Sequence, residues 1–142
     1  MTQSYENHTR WLPIYHFVAL PIATLYFIYA LVAAVRVPNT DNAITALVAL
    51  AIACGILAAR LMAITVQNRV IRLEMRLRLK ELLPAPLFAR VGEITPRQFV
   101  ALRFAGDAEM PQLIERVLKG EFAKPRDIKR TIRDWQGDYL RA

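Results

Sequence analysis

The sequence has few of the side chains that enzymes and metal sites depend on. It contains two histidines, one cysteine and one serine, and no histidine follows His16. Because Cys54 stands alone, the chain has neither a disulfide framework nor a cysteine-rich metal site. The five glycines form no phosphate-binding loop and no dinucleotide fingerprint. We therefore predict a protein that is not an enzyme, binds no small-molecule substrate and holds no cofactor or metal.

Charge is also scarce in the first half of the chain. Positions 12–66 carry three charged residues, which are Arg36, Asp41 and Arg60. Positions 67–142 hold sixteen of the nineteen Lys and Arg residues and ten of the twelve acidic residues, so they contribute +6 to the net charge of +7. A long apolar part followed by a basic part is typical of a membrane anchor that carries a polar region.

Two apolar segments are long enough to cross a bilayer, for which about 20 residues of helix suffice. Residues 12–35 carry no charge, and residues 43–66 carry only Arg60. The linker between them, residues 36–42, is short and rich in turn formers. The spacing predicts an antiparallel transmembrane hairpin. A secretory signal peptide is the alternative for the first segment, but that run is longer than the usual apolar core of about 7–15 residues.

The basic residues predict the orientation of this hairpin. Directly after the second segment come five of them: Arg69, Arg72, Arg76, Arg78 and Lys80. The linker has only one base and one acid. Since basic flanks stay in the cytoplasm, we predict that residues 1–66 form a two-span anchor in a bacterial inner membrane. Both termini would be cytoplasmic, with residues 67–142 forming a basic helical region.

Small residues recur every four positions in the second segment. This small-residue stripe consists of Ala51, Gly55, Ala59 and Ala63. Such a stripe allows the backbone of another helix to approach closely. We favour packing within the hairpin as its role. A docking face for the helix of a partner is the alternative.

Two polar side chains within the segments are candidates for function. Arg60 lies about two turns from the cytoplasmic end, from where its guanidinium can extend to the headgroups. A functional ion pair or lipid site is the alternative. His16 is the one candidate axial ligand for a haem or chlorophyll-type ring, although we favour an interfacial or packing role. Pro21 predicts a kink in the first span.

The sequence of the basic region, residues 67–142, predicts helices throughout. Residues 69–83 are mostly good helix formers, so they should continue the second span as a long juxtamembrane helix until Pro84. Three short helices are predicted after it. The first begins at the capping box of Thr95 and Gln98 and runs to about Phe104. The inward positions of the three helices are predicted to be Phe99, Val100 and Leu102, then Leu113, Ile114, Val117 and Leu118, then Ile128, Ile132 and Trp135.

The ends of the second and third helices follow from local signals. Asp107 is the predicted cap of the second helix, and Gly120 its end. The third helix should begin at Pro125. Its opposite face carries a basic stripe of Arg126, Lys129, Arg130 and Arg133. The interpretation that we favour for this stripe is a solvated face. Contact with anionic lipid is the second alternative, and contact with an acidic protein or nucleic acid is the third.

Four stretches of the sequence carry a family resemblance that covers nearly the whole chain. They are NHTRWLPIYHF (7–17), AARLMAITVQNRVIRLEMRLRL (58–79), ITPRQFVALRFAGDAEMP (94–111) and IKRTIRDWQGDYLRA (128–142). On these stretches the chain resembles an uncharacterised bacterial membrane family, the domain of unknown function six-five-two-six. The resemblance implies a two-span membrane protein and no particular activity, so no functional residue is carried over.

The leading functional hypothesis is a non-enzymatic accessory or scaffold subunit. Its small-residue stripe would dock on a larger inner-membrane complex, of which respiratory and photosynthetic complexes are examples, and its basic helices would hold the cytoplasmic side. The alternative is a membrane-tethered binding module that contacts anionic lipid, nucleic acid or a soluble regulator, with nucleic acid disfavoured. A haem or pigment protein built on His16 is the remaining alternative.

Overall fold

The computed structural model describes residues 4–6 and 11–139, and every regular element in them is helical. This confirms the predicted all-α class for the described part of the chain. A π-helix, Ile14–Ala19, leads into α1, Leu20–Arg36, and α2 follows as Thr40–Leu82. The shorter elements are α3 (Ala85–Phe88), a 3₁₀ turn (Val91–Glu93), α4 (Pro96–Leu102), α5 (Met110–Leu118) and α6 (Pro125–Thr131).

Two of these helical stretches are long and apolar enough to cross a membrane. They are Ile14–Arg36 and Thr40–Leu82, and only 11% and 6% of their apolar windows are buried by the chain itself. The core helix of a soluble protein would be mostly buried. The 43 residues of α2 make it about 65 Å long. That is about twice the thickness of a hydrocarbon core of roughly 30 Å.

The distortion that Pro21 predicts takes the form of a π-helix. Proline has no N–H, and its ring clashes with the carbonyl four residues earlier in an α-helix. The turns before Pro21 adopt wider hydrogen bonding instead, in which the Leu20 N–H donates to the Tyr15 carbonyl oxygen. Such a π-bulge accommodates the missing bond without ending the helix.

The connection between α1 and α2 is shorter than the linker predicted from the sequence. It comprises residues 37–39, because Asn39 caps α2: the Asn42 N–H donates to Asn39 Oδ1 at 2.8 Å. The Asn42 side chain then donates to the Val37 carbonyl oxygen, also at 2.8 Å. The polar residues of this stretch therefore begin the helix rather than extend the loop.

The described residues form two compact units, and the boundary lies within α2. One unit covers residues 11–64, and the other covers residues 65–139 together with residues 4–6. In the first unit, Ala23 and Ala30 of α1 and Ala49 of α2 are buried. Small side chains at these positions allow the two helices to pack closely.

The second unit is built around a hydrophobic core to which α2 contributes one side chain per turn. The α2 positions are Ile71, Met75 and Leu79, and Leu83 follows directly after the end of the helix. They pack against apolar residues of the segments that follow, chiefly Phe99 and Leu102 of α4, Met110, Leu113, Ile114 and Val117 of α5, and Ile128 of α6. The last third of α2 is therefore part of this core.

Several local predictions for this unit are confirmed. Thr95 and Gln98 form the reciprocal capping box at the start of α4. Gly120 follows α5 with a φ of 75°, which is the left-handed conformation that glycine adopts without strain. The predicted inward residues of α4 and α5 all belong to the core or pack against it.

Three predictions for the helix ends are wrong. Helix α4 ends at Leu102, before Phe104. Helix α5 begins at Met110, and Asp107 does not cap it, because the Asp107 carboxylate binds Arg78 instead. Helix α6 ends at Thr131, so Ile132 and Trp135 do not share a helical face with Ile128.

Candidate interaction surfaces

Arg60 lies against an aromatic cluster at the start of the first helical stretch. Its Cζ is 5.7 Å from the centroid of the Tyr15 ring, which is within cation–π range. Trp11, His16 and Phe17 complete the cluster, with the Trp11 and His16 rings 4.9 Å apart. Aromatic and arginine side chains together are typical of the boundary between lipid and water. This placement favours the interfacial role that we preferred for Arg60.

His16 belongs to the same cluster and is already engaged. His16 Nδ1 lies 3.1 Å from the Leu12 nitrogen and 3.0 Å from the Leu12 carbonyl oxygen, so it bonds to the Leu12 backbone in either tautomer, and the Tyr15 ring meets the imidazole edge-on at 4.9 Å. These contacts are at the beginning of the helix and favour the packing role over that of an axial ligand. Among residues 4–6 and 11–139, no group of three or more His, Cys, Asp or Glu side chains could hold a metal ion.

The small-residue stripe lies outside the contact between α1 and α2. Ala51, Gly55, Ala59 and Ala63 are all exposed. The side chains of α2 that are shielded lie on another face, which includes Ala49, Ala53, Ile56 and Arg60. The structure therefore does not place the stripe in the contact between α1 and α2, and packing within the hairpin stays a prediction. The exposed stripe leaves the alternative, a face open to another helix.

Beyond residue 65, α2 presents a row of basic residues. Arg69, Arg72 and Arg76 line one shallow surface depression together with Leu73. The three guanidinium groups recur about once per turn, so they follow one side of the helix. Closely spaced arginines of this kind suit the phosphate oxygens of anionic lipids.

Next to this row lies an apolar stripe that the chain leaves uncovered. Val70, Leu73 and Leu77 are 47%, 61% and 59% exposed, and Val66 precedes them as another exposed residue. Ile71, Met75 and Leu79 on the opposite side of α2 are buried in the core. This part of α2 thus has one face that packs within the chain and another that does not.

Arg78 connects α2 to the loop between α4 and α5. Its Nε donates to Asp107 Oδ1 at 2.7 Å, and its Nη2 donates to the Ala105 carbonyl oxygen at 2.7 Å. A planar guanidinium can satisfy a carboxylate and a carbonyl at once. Arg78 therefore has a structural role, whereas in the sequence it is one more base in a basic run.

The C-terminal segment closes the core through an aromatic stack. The Phe104 and Trp135 rings are 4.5 Å apart and nearly parallel, at an angle of 13°. Two cations flank Phe104, with Arg103 Cζ at 4.5 Å and Lys129 Nζ at 5.1 Å from its centroid. Arg103 also forms an ion pair with Asp138 at 3.0 Å. Phe104 is thereby enclosed by its neighbour Arg103 and by two residues distant in the sequence, Lys129 and Trp135.

Backbone hydrogen bonds hold the same segment in place. The Gly106 N–H donates to the Asp134 carbonyl oxygen at 2.9 Å, and the Gln136 N–H donates to the Phe104 carbonyl oxygen at 2.7 Å. The Glu109 carboxylate accepts the N–H groups of Arg133 and Asp134. A Cβ at Gly106 would meet the Asp134 side chain, which would then have to move.

The predicted basic stripe of the last helix is divided among different roles. Arg126 is exposed and lies 3.9 Å from Asp127. Lys129 packs on Phe104, and Arg130 Nε donates to the Tyr5 hydroxyl at 3.1 Å. Arg133 lies beyond the end of α6. The four residues therefore do not form one helical face, and the prediction of a single basic stripe is wrong.

Comparison with protein families gives a match that covers the whole chain. The model of a family of unknown function, DUF6526, matches residues 1–142. The chain belongs to the DUF6526 family. Curated proteins and solved structures provide no match. The family resemblance on the four sequence stretches is thus confirmed, and DUF6526 membership assigns no activity to any residue described above.

Proposed function

We propose that this DUF6526 member is a non-enzymatic accessory or scaffold subunit of a larger bacterial inner-membrane complex. In this proposal residues 12–35 and 43–66 form a transmembrane hairpin, both termini are cytoplasmic, and the core-containing unit of residues 65–139 lies in the cytoplasm. Its partners are the larger complex and anionic lipids.

The observation that carries the proposal is the difference in burial between the first and last parts of α2. One continuous helix has an apolar, almost unburied first part and a last part built into a hydrophobic core. Apolar side chains that the chain does not bury require lipid or another protein around them. A helix whose first part is in lipid and whose last part belongs to a folded unit tethers that unit to the membrane.

Residues at the ends of the hairpin support the orientation. The aromatic cluster around Trp11 and Tyr15 meets Arg60, as expected where the spans leave the hydrocarbon. Arg69, Arg72 and Arg76 follow on α2 and favour a cytoplasmic location for this end of the second span. Because Lys129 and Arg130 are engaged with aromatic rings, the basic surface of α6 is a poorer match for nucleic acid.

Purification under gentle conditions tests the proposal. The full-length tagged protein, expressed at its natural level, would be extracted in a mild detergent or in nanodiscs. Mass spectrometry would identify what accompanies it, and an absorption spectrum would show whether that material contains haem or pigment. Recovery of a large membrane complex at fixed stoichiometry is expected. A colourless protein that is recovered alone would reject the accessory-subunit proposal.

A further inference from the structure

The exposed apolar stripe of α2 has the spacing of a coiled-coil seam. Val66, Val70, Leu73 and Leu77 are separated by four, three and four positions. Alternating steps of three and four place side chains along one line when two helices wind around each other. Lys80 comes next in this pattern and ends the apolar run. Ala59 and Ala63 extend the same spacing toward the start of α2.

The charges beside the stripe match a second copy of the same helix. In a parallel pair, the residue just before one seam position faces a residue five positions later on the partner helix. Arg69 then faces Glu74 of the second copy, and Arg76 faces its Glu81. The flanking residues on one side of the stripe, Arg69 and Arg76, are basic, and those on the other side, Glu74 and Glu81, are acidic. The basic side of one copy therefore meets the acidic side of the other. Two-fold symmetry repeats each pair, which gives four ion pairs.

These four charges have no partner in the described part of the chain. Among residues 4–6 and 11–139, Arg69, Glu74, Arg76 and Glu81 form no ion pair. The neighbouring Arg78, by contrast, is bound to Asp107 and Ala105. The charges that are free are therefore those that a second helix would require.

The membrane favours the parallel arrangement that this pairing needs. Two copies inserted in the same sense present their α2 helices side by side and in the same direction. Glycine and proline are common sites of helix kinks, and neither occurs between Ile56 and Leu83, which favours a seam with another helix over a stripe that bends away to lie on the lipid surface. The stripe from Val66 to Leu77 is about 16 Å long, which is the length of helix that a second copy would cover.

We propose that the protein forms a parallel homodimer through the Val66–Leu77 face of α2. The apolar stripe forms the seam, and the pairs Arg69–Glu74 and Arg76–Glu81 between the two copies fix the register. The core face of α2 is on the opposite side, so dimerisation leaves the folded unit intact. The inference does not require a larger complex, and it assigns the exposed stripe of α2 to a second copy of this chain.

Disulfide trapping in membranes tests the seam. The full-length protein with Cys54→Ser would carry a single new cysteine, Leu73→Cys or Leu77→Cys, and would be oxidised in native membranes. The matched control is Arg72→Cys, which lies about 100° around the helix from Leu73. We expect at least about fivefold more covalent dimer from the seam positions, since Cα atoms more than about 7 Å apart are not bridged. Equal trapping at all three positions would overturn the proposal.

Charge reversal tests the register without touching the core. Glu74→Lys combined with Glu81→Lys places like charges opposite each other and should weaken dimerisation by roughly tenfold, given four exposed pairs. Adding Arg69→Glu and Arg76→Glu restores opposite charges and should restore the dimer. Förster transfer between labelled copies in liposomes measures both. A dimer that is insensitive to these changes, or no dimer in the unaltered protein, would contradict the inference.

The two proposals fail in different ways. A stoichiometric membrane complex without a Leu73→Cys disulfide would reject the homodimer and retain the accessory subunit. A trapped homodimer that purifies without other proteins would retain the homodimer and reject the accessory subunit.

Discussion

Leu79→Ala tests whether the last part of α2 belongs to the core of the C-terminal unit. The Leu79 side chain is fully buried, at 0% exposure, among residues of α4 and α5. Removing three carbon atoms costs about 2.4 kcal/mol, at roughly 0.8 kcal/mol for each buried carbon. The cavity that remains adds to this cost, and buried Leu→Ala changes span about 2–5 kcal/mol. We expect a loss of about 3 kcal/mol.

Hydrogen exchange measures this loss in the intact protein. Nanodiscs that contain one copy of the full-length chain keep the anchor in lipid and exclude a second α2. A loss of about 3 kcal/mol speeds exchange of the α5 amides by roughly 100-fold, because about 1.4 kcal/mol corresponds to a factor of ten.

Leu77→Ala is the matched control, since it changes the same residue type two positions away on the exposed face. A substitution there should alter stability by no more than about 0.5 kcal/mol, which leaves α5 exchange within roughly threefold of the unaltered protein. If Leu79→Ala and Leu77→Ala gave the same exchange rates, the assignment of α2 to the core would be refuted.

Two further predictions concern polar contacts of the same unit. Arg78→Met should destabilise the unit by about 1–3 kcal/mol, because the Ala105 carbonyl oxygen loses its donor. Hydrogen exchange of the amides in the loop after α4 measures this loss. Asp107→Asn should cost less, because Arg78 still donates to the Ala105 carbonyl oxygen. The hydrogen bond from Arg90 lowers the pKa of Glu93, so this pair stabilises the fold at neutral pH and its contribution is lost as the pH falls through that lowered pKa. Arg90→Gln should therefore move the titration midpoint of Glu93, followed by carboxyl NMR shifts, up to the ordinary range, and an unchanged midpoint would contradict the pairing.

Features set by neighbouring residues could be predicted from the sequence. The two apolar helices follow from uninterrupted runs of apolar residues, and the start of α4 follows from Thr95, Pro96 and Gln98 within one turn. Gly120 marks the end of α5 because only glycine adopts its left-handed conformation without cost. In each case the physical cause lies within a few positions of the effect.

Features set by distant residues could not be predicted in this way. Asp107 has the side chain of a helix cap, but Arg78, 29 positions earlier, binds its carboxylate. Lys129 and Arg130 continue a helical basic pattern, yet Phe104 and Tyr5 engage them. Trp135 reaches the core from an extended segment rather than from α6. A sequence pattern shows which side chains could interact, and tertiary contacts decide which of them do.

The topology of the two apolar helices is the central claim, and cysteine labelling tests it most directly. In a Cys54→Ser background, Thr40→Cys marks the first residue of α2, next to the connection between the helices, and Glu115→Cys marks the exposed side of α5. An impermeant maleimide added to intact spheroplasts should label Thr40→Cys in the full-length, uncleaved chain, and should label Glu115→Cys only after the membrane is opened. Labelling of Glu115→Cys in intact spheroplasts, or protection of Thr40→Cys, would contradict the account.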